Sequence, residues 1–214
     1  MKKSLLFIPL LAFTLSNINI ANSQGFKQIN PNKVKSVKIF ISCETDEERI
    51  NKLESLFYKD CNEVIKEVKD IRGAELYCTK MLHYNVTDMD NILYGEEDYW
   101  ASFKQTNLQK LGDCDDGAIA AASLLYDDGF PPYFLILNRK KGKSSHMVFL
   151  YKDEEGRYGS IGINEDDNQR PNSKNISDLV KKLGEYDSYK IYDGSKIFPN
   201  AIHDEGNYKK FIDE

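Results

Sequence analysis

Leu111-Gly112-Asp113-Cys114-Asp115-Asp116-Gly117-Ala118, with the apolar run Ile119 to Leu125 behind it, decides the fold of this 214-residue chain. A glycine break is followed by an acidic residue able to cap. Ala118, Ala121, Ala122 and Leu125 then fall on one face, which predicts a helix that begins at the cysteine and stops at Asp127-Asp128-Gly129. Its small side chains let it pack closely against whatever covers it, so it reads as a buried central helix. The open amide groups and dipole of a helix start favour an anionic sulfur, whereas Asp113, Asp115 and Asp116 oppose one.

Downstream of Pro131-Pro132 the period changes to that of strands. Tyr133 to Asn138, Ser145 to Tyr151 and Arg157 to Ile163 are separated by a basic turn at Arg139 to Lys143 and a tight turn at Asp153 to Gly156, which predicts an antiparallel meander. A polar loop is expected from Asn164 to Asn175, then a helix from Ser177 to Leu183 stopped by Gly184, and a last strand at Tyr189 to Tyr192.

Upstream, Val37, Ile39 and Ile41 alternate as in a short strand. Thr45-Asp46-Glu47-Glu48 has the form of a capping box. Ile50, Leu53, Phe57, Cys61, Val64, Val68 and Ile71 then recur at steps of three and four, predicting one long helix that ends at Gly73. A second helical stretch is expected over Ala74 to His83.

Lys2-Lys3, an apolar run from Ser4 to Leu15 and the small residues Ala21-Asn22-Ser23 read as a signal peptide cleaved after Ser23, and hence as an exported chain, periplasmic or secreted. The run is too short to span a bilayer comfortably, so no stable membrane insertion is expected after cleavage. Losing those two lysines takes the formal net charge from −5 to −7. Such an acidic surface argues against nucleic acid as a partner. Three segments follow: residues 1–23 as the leader, 24–95 as a strand and helical extension, and 96–214 as a catalytic core packed with that extension. Oligomeric state is not readable.

Export makes disulfides possible, and the chain has four cysteines: Cys43, Cys61, Cys78 and Cys114. If Cys114 is reserved as a nucleophile, at most one bridge can form among the other three. No spacing resembles a structural zinc site, the acidic loop Asn164 to Asn168 lacks the ligand spacing of a calcium hand, and no metal or cofactor is expected.

Thiol catalysis needs a sulfur, an imidazole to take and return its proton, and a third group to orient that imidazole. The chain offers Cys114 at a helix start, His146 opening a strand and Asn164 closing the next. In an antiparallel pair turning at Asp153 to Gly156, the beginning of one strand lies beside the end of the other, so His146 and Asn164 should be neighbours. An oxyanion hole would use the Cys114 backbone amide and a second donor, for which Gln105 and Gln109 qualify by type.

These residues carry a resemblance. Gly112-Asp113-Cys114-Asp115-Asp116 with Ala118, His146-Met147-Val148, and the run from Gly156 to Ile161 resemble the bacterial transglutaminase-like cysteine peptidases of the papain-like superfamily. The resemblance spans about Asp98 to Leu183, with Asp98-x-Trp100 matching an upstream motif. It implies an α+β, papain/transglutaminase-like fold in which the cysteine helix packs on an antiparallel sheet, with the N-terminal helical extension outside the matched region. It also implies hydrolysis or acyl transfer on peptide or isopeptide amides through a thioester, with a peptide or protein substrate. Cys114 would be nucleophile, His146 base and acid, and Asn164 the orienting group, with Asp166 and Asp167 as alternatives because many relatives use aspartate there. Trp100 joins the oxyanion candidates by the same pattern. Gly117 and Ala101 stand where relatives usually carry an aromatic and often a glutamine, so a catalytically inactive binding module of the same fold is the alternative.

Overall fold

The computed structural model describes residues 25–40, 42–84, 89–139 and 145–211. The leader, Ile41 and the lysines of the basic turn lie outside them. The chain is of the α+β class, built on a six-stranded, wholly antiparallel sheet in the order β1 (Lys27–Ile29), β8 (Ser188–Asp193), β4 (Tyr133–Asn138), β5 (His146–Lys152), β6 (Tyr158–Ile161), β7 (Gln169–Ser173). Strands β4 to β6 form the expected meander, and β7 extends it.

Side-chain alternation along β5 divides the interior into two layers. Met147, Phe149 and Tyr151 join the cluster formed with α6 (Cys114–Tyr126), while Val148 and Leu150 join the cluster formed with α7 (Ile176–Leu183). Every residue from Ala118 to Ala122 in α6 is fully buried, which is why the helix has to be built of small side chains. Gly117 has a specific reason: a Cβ there would sit 2.7 Å from Cβ of Ile163, so the first turn of α6 rests directly on the chain leaving β6.

On the outer side of α6, α2 (Cys61–Glu67), α3 (Ile71–Leu76) and α5 (Phe103–Gln109) pack against it and α1 (Asp46–Ser55) packs on α3, all within a continuous apolar cluster that runs from Phe26 to Tyr208. The single helix expected to end at Gly73 is three short helices, because Asp60 and Asp70 turn their carboxylates onto the chain. Asp60 accepts from the amides of Asn62 and Glu63, and Asp70 accepts from that of Gly73, each starting a new helix. The Thr45 to Glu48 capping box is formed as written in the sequence. Past α3 the chain passes through a π-helical turn, Tyr77–Met81.

Of the strand expected within Val34 to Ser42, the described residues form one bridge, between Val37 and Asp153; the residues that add an edge to the sheet are Lys27–Ile29, paired to β8. The loop expected from Asn164 to Asn175 contains β7. Two short elements, β2 (His83–Tyr84) and β3 (Leu111–Gly112), pair in parallel and join the helical half to the segment entering Cys114. The remaining helices are α4 (Met89–Tyr94) and α8 (Asn200–His203). None of the described helices is long and apolar enough to cross a membrane. No cysteine is bridged: Cys43 is exposed, Cys61 is buried, and the buried Cys78 turns its thiol to the carbonyl of Gly117.

Candidate active site

Cys114 is the first residue of α6, and the turn before it is held by a reciprocal cap. Asp113 Oδ1 accepts from the Asp115 amide at 3.2 Å, and Asp116 Oδ2 accepts from the Asp113 amide at 3.4 Å. Asp116 is buried and its other oxygen takes the Ala101 amide at 2.8 Å, tying the helix start to the chain around Trp100. Gly112 completes the turn, since a Cβ there would lie 2.7 Å from that of Asp116.

The half-buried thiol donates to Asp115 Oδ1 at 3.9 Å, and the backbone N–H of Met147, the residue after His146, lies close enough to favour its charged form, so the helix start adjoins the head of β5. The thiol is pushed up to about 12, first by burial and next by the Asp113 charge, with the Met147 amide pulling the other way. The acidic neighbours and burial therefore outweigh the helix dipole, and the resting group is the thiol. Asp115 and Asp116 are held well above the usual carboxylate range, again by burial first and Asp113 second. Asp115 Oδ2 is buried without a hydrogen-bond partner among the described residues. Asp113, Cys114 and Asp115 bring donor atoms within 4.8 Å of one another. We assign no cation there, because Asp113 Oδ1 is already committed to the Asp115 amide.

The β5 and β6 register pairs Phe149 with Ile161, and continuing it past the last ladder pair sets position 146 opposite position 164. His146 and Asn164 are thus brought to the same end of the sheet, but the imidazole takes its hydrogen bond from further on. A single 3₁₀ turn, Glu165–Asp167, folds back so that Asp167 Oδ1 lies 2.7 Å from His146 Nε2. Asn164 sits one bond behind, its amide group and backbone N–H both donating to Asp167 Oδ2 at 3.2 and 3.1 Å. Gly162 makes the room: a Cβ on it would fall 2.5 Å from Cβ of Asp167. His146 and Asp167 side chains are 13% and 8% exposed, so the pair is shielded from water yet open on one side. Asp166 contributes only its carbonyl, to Gln169.

The three oxyanion candidates are otherwise engaged. Trp100 is buried edge-on to Phe26 and donates its indole N–H to Asp98. Gln105 closes the cap of α5 through Ser102 and donates to the Tyr99 hydroxyl. Gln109 lies against the Tyr94 hydroxyl, and its Oε1 is buried without a hydrogen-bond partner among the described residues. The backbone amide of Cys114 is therefore the donor best placed for the role by its position at the helix start.

Two tyrosines that the sequence did not single out border the site. Tyr84 sits opposite Gly112 in the parallel pair, 43% exposed, its hydroxyl within electrostatic reach of Cys114, Asp113, Asp167 and Arg139. Tyr186 lies parallel to the His146 ring. Neither belongs to a periodic apolar pattern or a recognisable motif, so no sequence signal marked them.

No family model matches the chain, and no curated protein is similar to it.

Proposed function

We propose that this chain is an exported cysteine hydrolase or acyl transferase of papain/transglutaminase-like fold, acting on peptide or isopeptide amides through a thioester. The observation that supports this most is the joint placement of Cys114 at a helix start, its sulfur near the amide that follows His146, and His146 held by Asp167 at 2.7 Å. Cys114, His146 and Asp167 are gathered at one end of the sheet, with the imidazole bonded to the carboxylate and not to the sulfur, and they are the three groups that thiol catalysis requires.

Because Nε2 is engaged by Asp167, Nδ1 is the nitrogen left for the sulfur's proton. Because the resting sulfur is a thiol, His146 acts as general base during attack rather than through a preformed ion pair. Nδ1 takes the S–H proton as sulfur bonds to the amide carbon. The imidazolium then gives that proton to the departing nitrogen, the C–N bond breaks, and a thioester remains. Water or an amine attacks the thioester, its proton passes to Nδ1 and on to sulfur, and the C–S bond breaks. Asp167 stabilises the imidazolium in both halves.

A thiol-directed electrophile tests the reading. In a Cys43→Ser background it should label the folded protein at Cys114, with Cys114→Ala abolishing the labelling at unchanged melting temperature. Labelling that survives in Cys114→Ala rejects the proposal. The second reading, an inactive binding module, is favoured by the raised thiol and the acidic groups around it; it predicts that His146→Ala leaves Cys114 labelling unchanged.

A further inference from the structure

We propose that Tyr186 is a positioning residue for the His146 imidazole, with Arg139 as its brace; this rests on the thiol and imidazole reading above. Strand alternation puts His146 with Val148 and Leu150 on the α7 face of the sheet, whereas Cys114 belongs to α6 on the other. The imidazole therefore has to work around the end of the sheet, with no hydrogen bond to the sulfur in the resting state. A single bond from Nε2 to Asp167 fixes one corner of the ring and leaves its plane free to turn. The direction of Nδ1, the nitrogen that must meet the sulfur, is set by that plane.

Tyr186 supplies the missing constraint. Its ring lies 9° from parallel to that of His146 with centroids 6.4 Å apart, an offset stack. Tyr186 comes from the turn after α7 and packs at the edge of the α7 cluster. It is held from three directions. Gly184 leaves the helix at φ +135°, a backbone that a side chain rarely adopts, and brings the chain back over the sheet end. The Asp187 amide then donates to Asn138 at the end of β4, 2.9 Å away, pinning the turn. Arg139, the next residue on that strand's exit, sets its guanidinium 5.0 Å from the ring centroid and donates to the Tyr186 hydroxyl at 3.4 Å. Arg139 pairs with no carboxylate of a described residue, so its ordering serves the tyrosine. Among the described residues, Asp167 of the 3₁₀ turn and Tyr186 face the imidazole directly, and Cys114 and Asp113 from the head of α6, Asp167, and Arg139 just past β4 act on the Tyr84 hydroxyl at the same end of the sheet.

The test needs no knowledge of the substrate. Alkylation of Cys114 by iodoacetamide is followed by mass spectrometry against pH in the Cys43→Ser background. Wild type should react well below the thiol's own titration, because His146 takes the proton. Tyr186→Leu keeps apolar volume beside α7 without a flat face, and should lower the rate at neutral pH about tenfold while sparing the rate at high pH, where hydroxide supplies the base. Tyr186→Phe restores the stack and should recover to within about threefold. Arg139→Gln should fall between them. A purely structural tyrosine would give equal losses at all pH values, or equal losses for Leu and Phe, and either overturns the proposal. If Tyr186→Leu equals wild type while His146→Ala abolishes the neutral-pH reactivity, the positioning role fails and the catalytic reading stands. If His146→Ala also equals wild type, both fail.

Discussion

Nε2 of His146 and Oδ1 of Asp167 lie 2.7 Å apart, on side chains almost wholly withdrawn from water, although 21 residues separate them. The second oxygen of that carboxylate is saturated by Asn164 through both its backbone and its side-chain N–H groups. The carboxylate is therefore aimed at the ring, with Asn164 as its support. Asp167→Asn should lower the neutral-pH rate of Cys114 alkylation by at least about tenfold, about 1.4 kcal/mol of barrier. Asn164→Ala should cost less, about two- to fivefold, because Asp167 keeps its place in the 3₁₀ turn. Equal losses would make Asn164 a direct partner of the imidazole.

Gly162 offers a way to disturb that pair without touching either member. A methyl group there would lie 2.5 Å from Cβ and 2.7 Å from Oδ2 of Asp167. Gly162→Ala should push the carboxylate off the ring and reproduce the loss of Asp167→Asn in alkylation, with a destabilisation of about 1–3 kcal/mol from the overpacking. Full reactivity in this variant would show that the approach of Gly162 to Asp167 is immaterial.

At Gly117 two effects oppose each other. Alanine is better than glycine inside a helix by about 1 kcal/mol. Its Cβ, however, would lie 2.7 Å from Cβ and 3.1 Å from the backbone nitrogen of Ile163, a contact with a fixed chain rather than a flexible tip. Overpacking should win, so Gly117→Ala is expected to lower the unfolding free energy by about 1–2 kcal/mol net. A rise in melting temperature would show that α6 can withdraw from β6.

Asp113 is the largest charge opposing the Cys114 thiolate, after burial itself. Asparagine caps a helix as well as aspartate does, so Asp113→Asn removes the charge and keeps the turn. The thiol should titrate lower than it does beside the Asp113 charge, and Cys114 alkylation between pH 9 and 11 should quicken. No change would mean that Asp113 is screened from the sulfur.

Lys110, 6% exposed and four residues before Cys114, buries its amine against Asn107 Oδ1 and the Tyr77 hydroxyl, with the rings of Phe57 and Tyr77 beneath it. Burial without a carboxylate lowers it to about 8. In the unfolded chain the amine holds its proton to near the ordinary lysine value of 10.5, so between pH 8 and 10 the unfolded state binds more protons and stability rises with pH. Above about 10 the raised, buried tyrosines Tyr77 and Tyr94 act in the opposite sense. Chemical denaturation across pH 7 to 10 should show the rise in wild type and not in Lys110→Met.

The helix at Cys114, the meander after Pro131-Pro132 and the convergence of His146 with position 164 were legible in the sequence. Each follows from local periodicity or from the arithmetic of a tight antiparallel turn. Local chemistry also misled: the apolar spacing from Ile50 to Ile71 suited one helix, and only the competition of Asp60 and Asp70 for backbone amides divides it. The choice of Asp167 over Asn164 depends on one 3₁₀ turn and the space above Gly162, and the presence of Tyr186 on His146 depends on how the α7 turn meets the end of β4. Sequence by itself determined which residue types could react and which strand ends they occupy, because those follow from covalent order and side-chain period. Tertiary structure alone decided which carboxylate faces the imidazole, whether the sulfur rests as thiol or thiolate, and what fixes the ring. Those depend on burial and on distances between segments that no local pattern encodes.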